Sequence, residues 1–428
     1  MALIDRILKE GSKQADEIEV VYGEGSSVSA DLKQRTVRLA SRSDDCGLAI
    51  RVIRNGRIGS STTNDPENWK RCLDAAVASA NLATSQPWNG LPGPSAEIAE
   101  DTLCFDPSIS LEPPIVRNLL TTMLDGAGSH KAEVTSASAS LSVGTMTIAN
   151  SAGLLATSRN TGVSISMEAI AGQSTGSEFD QSCFMDVNPY NVGEKATFFA
   201  ARSAGGKEIA TGSYDIILSP VAYAELLGGV FVPALSGRNV HAGRSRLADS
   251  LGKEVMDPRF SLYDDPRLQK GLGSALRDGE GVPTRRVDFV DKGILRSFAY
   301  DLRTAYRYGK ATTGNAVRGG ASGGTSIGHH NLVFDGPRSD IAQEPAIYVH
   351  SVIGAHTANP MSGDFSVEMA NAFHMEAGSF GEPVRSAMLA GNVFDMHHNI
   401  VGISREVRQI GSLLLPSIRV AGLRVIGK

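Results

Sequence analysis

The chain has 428 residues, 41% hydrophobic and 20% charged, a globular composition too long for one ordinary core, so two or three domains are expected. Its formal net charge is -5 and no segment concentrates Lys and Arg, which argues against a nucleic-acid partner. No apolar run reaches the roughly 18 residues of a transmembrane helix, and the first residues hold no signal-like apolar stretch, so no membrane partner is expected.

In chain order, Leu3, Ile4, Ile7 and Leu8 share one face of a helix expected over 2–13. A β-rich stretch follows, with alternation over 28–40 and again at Leu48, Ile50 and Val52. Cys46, Cys72, Cys104 and Cys183 are widely spaced and read as free thiols of a reducing compartment, hence a cytoplasmic location. Asn55-Gly56 is a two-residue hairpin signal, because both residues tolerate positive φ. Asp65-Pro66-Glu67 reads as a cap, a first-turn proline and a first-turn acid for a helix whose inner face carries Trp69, Leu73, Ala76, Val77 and Ala80. Three prolines mark 85–95 as a linker. A helix over 115–124, strands over 145–149 and 163–170 around a turn at 150–153, and a helix over 192–203 ending at Gly205-Gly206 come next. The last segment opens with a strand over 214–218 and a helix over 220–235. Strands follow over 286–300, hairpinned at Asp291-Lys292-Gly293, and over 346–353, 365–376 and 412–420. Strands and helices mix without regular βαβ alternation, which makes the fold α+β.

Three sets of residues could carry chemistry. Gly324-Thr325-Ser326-Ile327-Gly328 matches a nucleophile elbow, but a glycine-rich run precedes it and a strand-like run follows, so the expectation is a glycine loop. His329-His330, His350 with His356, and His397-His398 are the histidine clusters. None precedes a glutamate, and adjacent histidines in a strand would point to opposite faces, so each pair offers at most one ligand to a site. The run 356–366, with His356, Asn359, Ser362, Gly363 and Asp364, gathers small polar groups between two strands. It is either a loop that contacts a peptide or polar ligand, or an elaborate turn.

Several segments keep a recognisable order: Asp44-Asp45-Cys46-Gly47-Leu48-Ala49-Ile50-Arg51-Val52, Leu235-Ser236-Gly237-Arg238-Asn239, Asp278-Gly279-Glu280-Gly281, Thr313-Gly314-Asn315, Ser362-Gly363-Asp364-Phe365, Ala390-Gly391-Asn392 and Gly411-Ser412-Leu413. Over nearly the whole chain this set resembles the PmbA/TldE branch of the TldD/PmbA family. The resemblance implies N-terminal mixed α/β segments followed by a largely antiparallel β-rich C-terminal domain. The domains would span 1–95, 105–206 and 212–428, with the middle one packed on the first.

TldD-type chains of that family resemble zinc peptidases, with a His-Glu-x-x-x-His helix and a later cysteine. Two histidines one turn apart hold the metal and the glutamate activates its water. The corresponding helix here, 223–237, has no histidine and no glutamate after Glu225, and no cysteine follows Cys183. The resemblance therefore implies no catalytic residue, metal ligand or cofactor in this chain, and zinc in a TldD-type partner. It also implies a closed dimer, with that partner or with itself, that acts on unfolded peptides. The cavity-facing candidates are Ser236, Asn239, His356, Asn359, Ser362, Gly363, Asp364 and Asn392. A homodimeric hydrolase using His356 and Asp364, and a peptide-binding protein without catalysis, are the alternatives.

Overall fold

The computed structural model describes residues 2–33, 36–94 and 100–427. The first half is one twisted sheet of long strands. Its elements are α1 (Ala2–Gly11), β1 (Glu17–Lys33), β2 (Thr36–Arg54), β3 (Arg57–Thr63), α2 (Trp69–Leu82), β4 (Glu100–Cys104), α3 (Pro113–Ala127), β5 (Glu133–Asn150), β6 (Leu155–Ala171), β7 (Ser174–Ser182) and α4 (Pro189–Ser203). The strand order is β3-β2-β1-β5-β6-β4, and β7 adds to β6. The alternation over 28–40 proves to be two strands: β1 ends at Lys33 and β2 starts at Thr36, and Gln34 and Arg35 between them lie outside the described residues. Asn55 (φ 50°) and Gly56 (φ 72°) make the hairpin between β2 and β3, with Arg54 opposite Arg57.

At about 3.3 Å per residue, β1 runs roughly 55 Å, long enough to carry two helix pairs side by side. Near one end, Ile4 and Ile7 of α1 and Leu73, Ala76 and Ala80 of α2 bury Ile18, Val20, Leu48, Ile50 and Val52. Further along, Val116, Leu119, Leu120 and Met123 of α3, with Val192 and Ala196 of α4, bury Val28, Leu32, Leu141, Val163 and Ile165.

The second half holds β8 (Gly212–Leu218), α5 (Pro220–Leu226), α6 (Val232–Ala234), α7 (Gly237–His241), β9 (Ser261–Asp264), β10 (Val287–Asp291), β11 (Ile294–Leu295), α8 (Leu302–Arg307), β12 (Ala316–Arg318), β13 (Thr325–Ile327), β14 (Leu332–Asp335), β15 (Ala346–Ile353), β16 (Asp364–Glu376), β17 (Ser379–Val384), β18 (Met388–Asn392), α9 (Val393–His398), β19 (Ile400–Ile410) and β20 (Leu413–Ile426). Except for β12 and β13, which pair only with each other, these strands form one sheet. Within it β20-β18-β16-β15-β8 closes on itself, because β8 also pairs with β20. Only β14 with β20 and β15 with β8 run parallel; the other pairings of this sheet are antiparallel. The helix expected over 220–235 is continuous but widens into a π turn at Leu227–Phe231, between α5 and α6. Its inward residues, Tyr223, Leu226, Leu227, Val230 and Phe231, are buried in the large core inside the closed sheet. The molecule is thus α+β, with a largely antiparallel β-rich second half.

Candidate functional site

The helix that would carry a zinc motif in a TldD-type chain presents Leu226, Leu227, Val230 and Phe231 to the core, side chains without a donor atom for a metal. A histidine packed against it, His397 of α9, is fully committed. Its Nδ1 donates to the carbonyl of Val393 at 2.7 Å, and its Nε2 accepts from the Tyr223 hydroxyl at 2.9 Å. Burial pushes the His397 pKa down to about 4, so the ring is neutral and both nitrogens are used. Zinc does not fit this place, and among the described residues no group of three or more His, Cys, Asp or Glu is arranged to hold a metal.

The loop between β15 and β16 is built as a self-bonded turn hung on α9. Asn359 Oδ1 accepts from the backbone of Met361 and Ser362. Gly363 sits at φ 91°, and a Cβ there would meet the Phe394 ring at 2.4 Å, so only glycine fits both its conformation and its space. Asn392 caps α9 with Oδ1, while its Nδ2 donates to Ser362 O and Asp364 Oδ1, each at 2.8 Å. The hydrogen bonds from Asn392 and Ser362 hold the Asp364 carboxyl below the usual range. Arg246 ties the loop to the segment after α7 by donating to Ser362 O at 2.7 Å and pairing with Asp395 at 3.5 Å. The structure therefore joins Asn359, Ser362, Gly363, Asp364 and Asn392, and leaves His356 exposed on a 3-10 turn.

Ser236 and Asn239 line a different place. A cavity of about 380 Å³ beside the end of the π-containing helix is walled by Ser236, Arg238, Asn239, Arg244, Ser326 and His329, and by none of the 356–366 loop. Ser326 lies mid-strand in the β12–β13 pair, opposite Val317, rather than on a strand-to-helix turn, so the nucleophile-elbow geometry is absent there. His329 Nε2 shares a hydrogen bond with Ser412 Oγ at 2.8 Å, and burial lowers its pKa. The neighbouring His330 is held by Asp264. His397 and His398 end a helix rather than lie in a strand, so opposite strand faces do not apply to them.

Two buried charge clusters escaped the sequence reading. Arg51 of β2 pairs with Glu19 at 2.6 Å and with Glu280, and Arg318 pairs with Glu19 at 2.5 Å. Beside them, burial and the Glu280 charge push the Asp278 pKa up to about 7. Farther along, Glu178 of β7 pairs with Arg408 of β19 at the mouth of a cavity of about 980 Å³ that also reaches Lys195, Tyr348 and His350. Each cluster links the first half of the chain to the second, and such pairings over about 230 residues leave no local pattern.

Comparison with known proteins agrees with this architecture. Residues 211–427 match the PmbA/TldA metallopeptidase C-terminal domain, 106–204 its central domain and 18–80 its domain 1. An uncharacterized protein of Methanocaldococcus jannaschii is 30% identical over 97% of this chain and 98% of its own. The metalloprotease PmbA of Escherichia coli O157:H7 is 26% identical over 98% of this chain and 95% of its own. The crystal structure of TldE from Thermococcus kodakarensis superposes with a TM-score of 0.89 at 25% identity, covering 99% of this chain and 100% of that one. On these matches, the chain belongs to the TldD/PmbA metallopeptidase family.

Proposed function

We propose that this chain is the non-zinc, PmbA/TldE-like subunit of a two-chain peptidase in which a TldD-type partner supplies zinc and this chain supplies cavity wall and substrate contacts. The observation that carries the reading is the helix from Pro220 to Ala234. In the helix that the resemblance sets against the zinc motif the inward side chains are apolar, and His397 packed beside it has both ring nitrogens hydrogen-bonded, which leaves no ligand or base there. The substrate is an unfolded peptide, and the residues offered to it are Ser236 and Asn239 together with the polar turn of His356, Asn359, Ser362, Gly363, Asp364 and Asn392. The four free cysteines suit the reducing cytoplasm, where we place the complex. Co-expression with a TldD-type chain tests the reading. The two should co-purify, with about one zinc per pair that leaves with the partner when the chains are separated. A lone chain that holds one zinc and cleaves peptides by itself would overturn it.

A further inference from the structure

We propose that the cavity walled by Ser236, Arg238, Asn239 and Arg244 captures the free C-terminal carboxylate of an extended peptide, an inference that rests on the peptide-substrate reading above. The cavity wall contains two guanidinium groups and no Asp or Glu. Among the described residues no hydrogen bond or ion pair engages the Arg244 guanidinium, whose residue is held only through its backbone N–H to the Asn239 carbonyl at 2.8 Å. The nearest acid to Arg238 is Asp301, at 3.4 Å, and that carboxylate already caps α8 through the backbone of Thr304. Asp301 thus offsets Arg238 from one side, and the Arg244 guanidinium is the positive charge at the cavity that no acid among the described residues pairs. A carboxylate is the planar, two-oxygen anion that a guanidinium fork binds through paired hydrogen bonds. Both arginines are exposed at the rim, so an incoming anion need not be stripped fully of water before it meets them.

The remaining walls point to a peptide end rather than to a small inorganic anion. Leu235, Phe289 and Leu332 give the cavity an apolar floor, which suits the last side chain of a peptide and offers nothing to phosphate. The hydroxyls of Ser236 and Ser326 stand at the same walls as donors or acceptors for the final peptide group. At about 380 Å³ the space is near the small end of ligand pockets, enough for the end of a chain rather than for a folded domain. The cavity also opens beside Pro233, in the last turn of the helix that the resemblance sets against the zinc motif. A carboxylate held here would fix the register of the peptide in the shared chamber.

The test uses the full chain, alone and with its TldD-type partner, and a fluorescent six-residue peptide made as the free acid and as the C-terminal amide. Anisotropy should show the acid bound about tenfold more tightly than the amide, the scale of one charge-assisted hydrogen bond. Arg244→Gln should bring the acid to the level of the amide, and Arg244→Lys should keep part of the difference. Lys253→Gln, the same charge change at an exposed residue outside the cavity, should leave it intact. Equal binding of acid and amide by a folded chain overturns the carboxylate site while leaving peptide binding in place. Binding of neither peptide, with or without the partner, overturns both readings. Inorganic phosphate binding more tightly than the peptide acid would mark a general oxyanion site and overturn the proposal as well.

Discussion

Arg51 shows at a single residue how the two halves are joined. In the sequence Leu48, Ile50 and Val52 alternate with Ala49, Arg51 and Ile53, which reads as one buried and one solvated face. The structure buries both, because the second half of the chain lies over the face that carries Ala49 and Arg51. Two guanidiniums, Arg51 and Arg318, face Glu19 and Glu280 there, so Asp278 is a fifth charge without a matching partner. Arg51→Met should therefore lower stability by about 3–5 kcal/mol, since it leaves two carboxylates buried beside one cation; a urea midpoint unchanged from the parent would refute this. Lys207→Met, which removes the exposed pair with Glu382, should not move that midpoint. Asp278 adds a pH signature. Its folded pKa near 7 lies above its unfolded value near 3.8, so the folded state holds the extra proton and loses stability as pH rises through that window. His350 and His397 act oppositely: burial lowers both to about 4 from 6.5, so they favour the fold as pH rises from 4 to 6.5. Comparing Asp278→Asn with the parent isolates the acid. The melting temperature of the variant relative to the parent should climb between pH 4 and 7, and a flat difference would show that Asp278 does not titrate there. None of these shifts was legible in the sequence, because segments far apart along the chain bury these groups.

Elements were more legible than residues wherever local chemistry decides them. The cap at Asp65, the hairpins at Asn55-Gly56 and Lys292-Gly293 and the apolar face of α2 follow from short-range rules and stand in the structure as expected. The polar turn at 356–366 was legible as a turn, since Asn-Pro and Ser-Gly-Asp bond to their own backbone; its anchor, Asn392, comes from a strand end that only the closed sheet brings near. The π turn at Leu227–Phe231 left no pattern, because widening by one residue keeps the inner face apolar. Glycines in helices were not informative either, yet one pair governs how α3 meets α4. A Cβ on Gly193 would lie 1.9 Å from the Met123 carbonyl oxygen, and one on Gly126 would lie 2.0 Å from that of Tyr190. Backbone stands against backbone there, and no rotamer change can relieve a clash. Gly193→Ala should push the helices apart and destabilise the chain by about 1–3 kcal/mol or more, although alanine is the better helix former. A thermal melt equal to or above the parent would show that the helices can separate at no cost.

At the scale of the whole molecule the question is what the family fold can admit. A cavity of about 980 Å³ lies between the two halves, and its walls mix Glu178, Lys195, Arg408 and aromatic rings rather than converging a few polar groups on one small ligand. The smaller cavity beside Ser236 is separate from it and faces a different part of the second half. Spread-out contact of this kind suits a long, thin ligand. An extended peptide also offers its own main-chain donors and acceptors to strand edges, which asks little of its sequence. A folded protein cannot do this, because its backbone groups are already paired and its width exceeds either cavity. The proposed two-chain complex should therefore cut a reduced, denatured protein at least ten times faster than the same protein in its native state, on the scale set by a native population of open forms well below one in ten. The comparison is run on one stable substrate with a fixed ratio of the two chains, following fragments by mass. Equal rates on both forms would remove the unfolded-peptide reading, and turnover of a small ester or amide with no cleavage of either protein form would mark a small-molecule hydrolase instead.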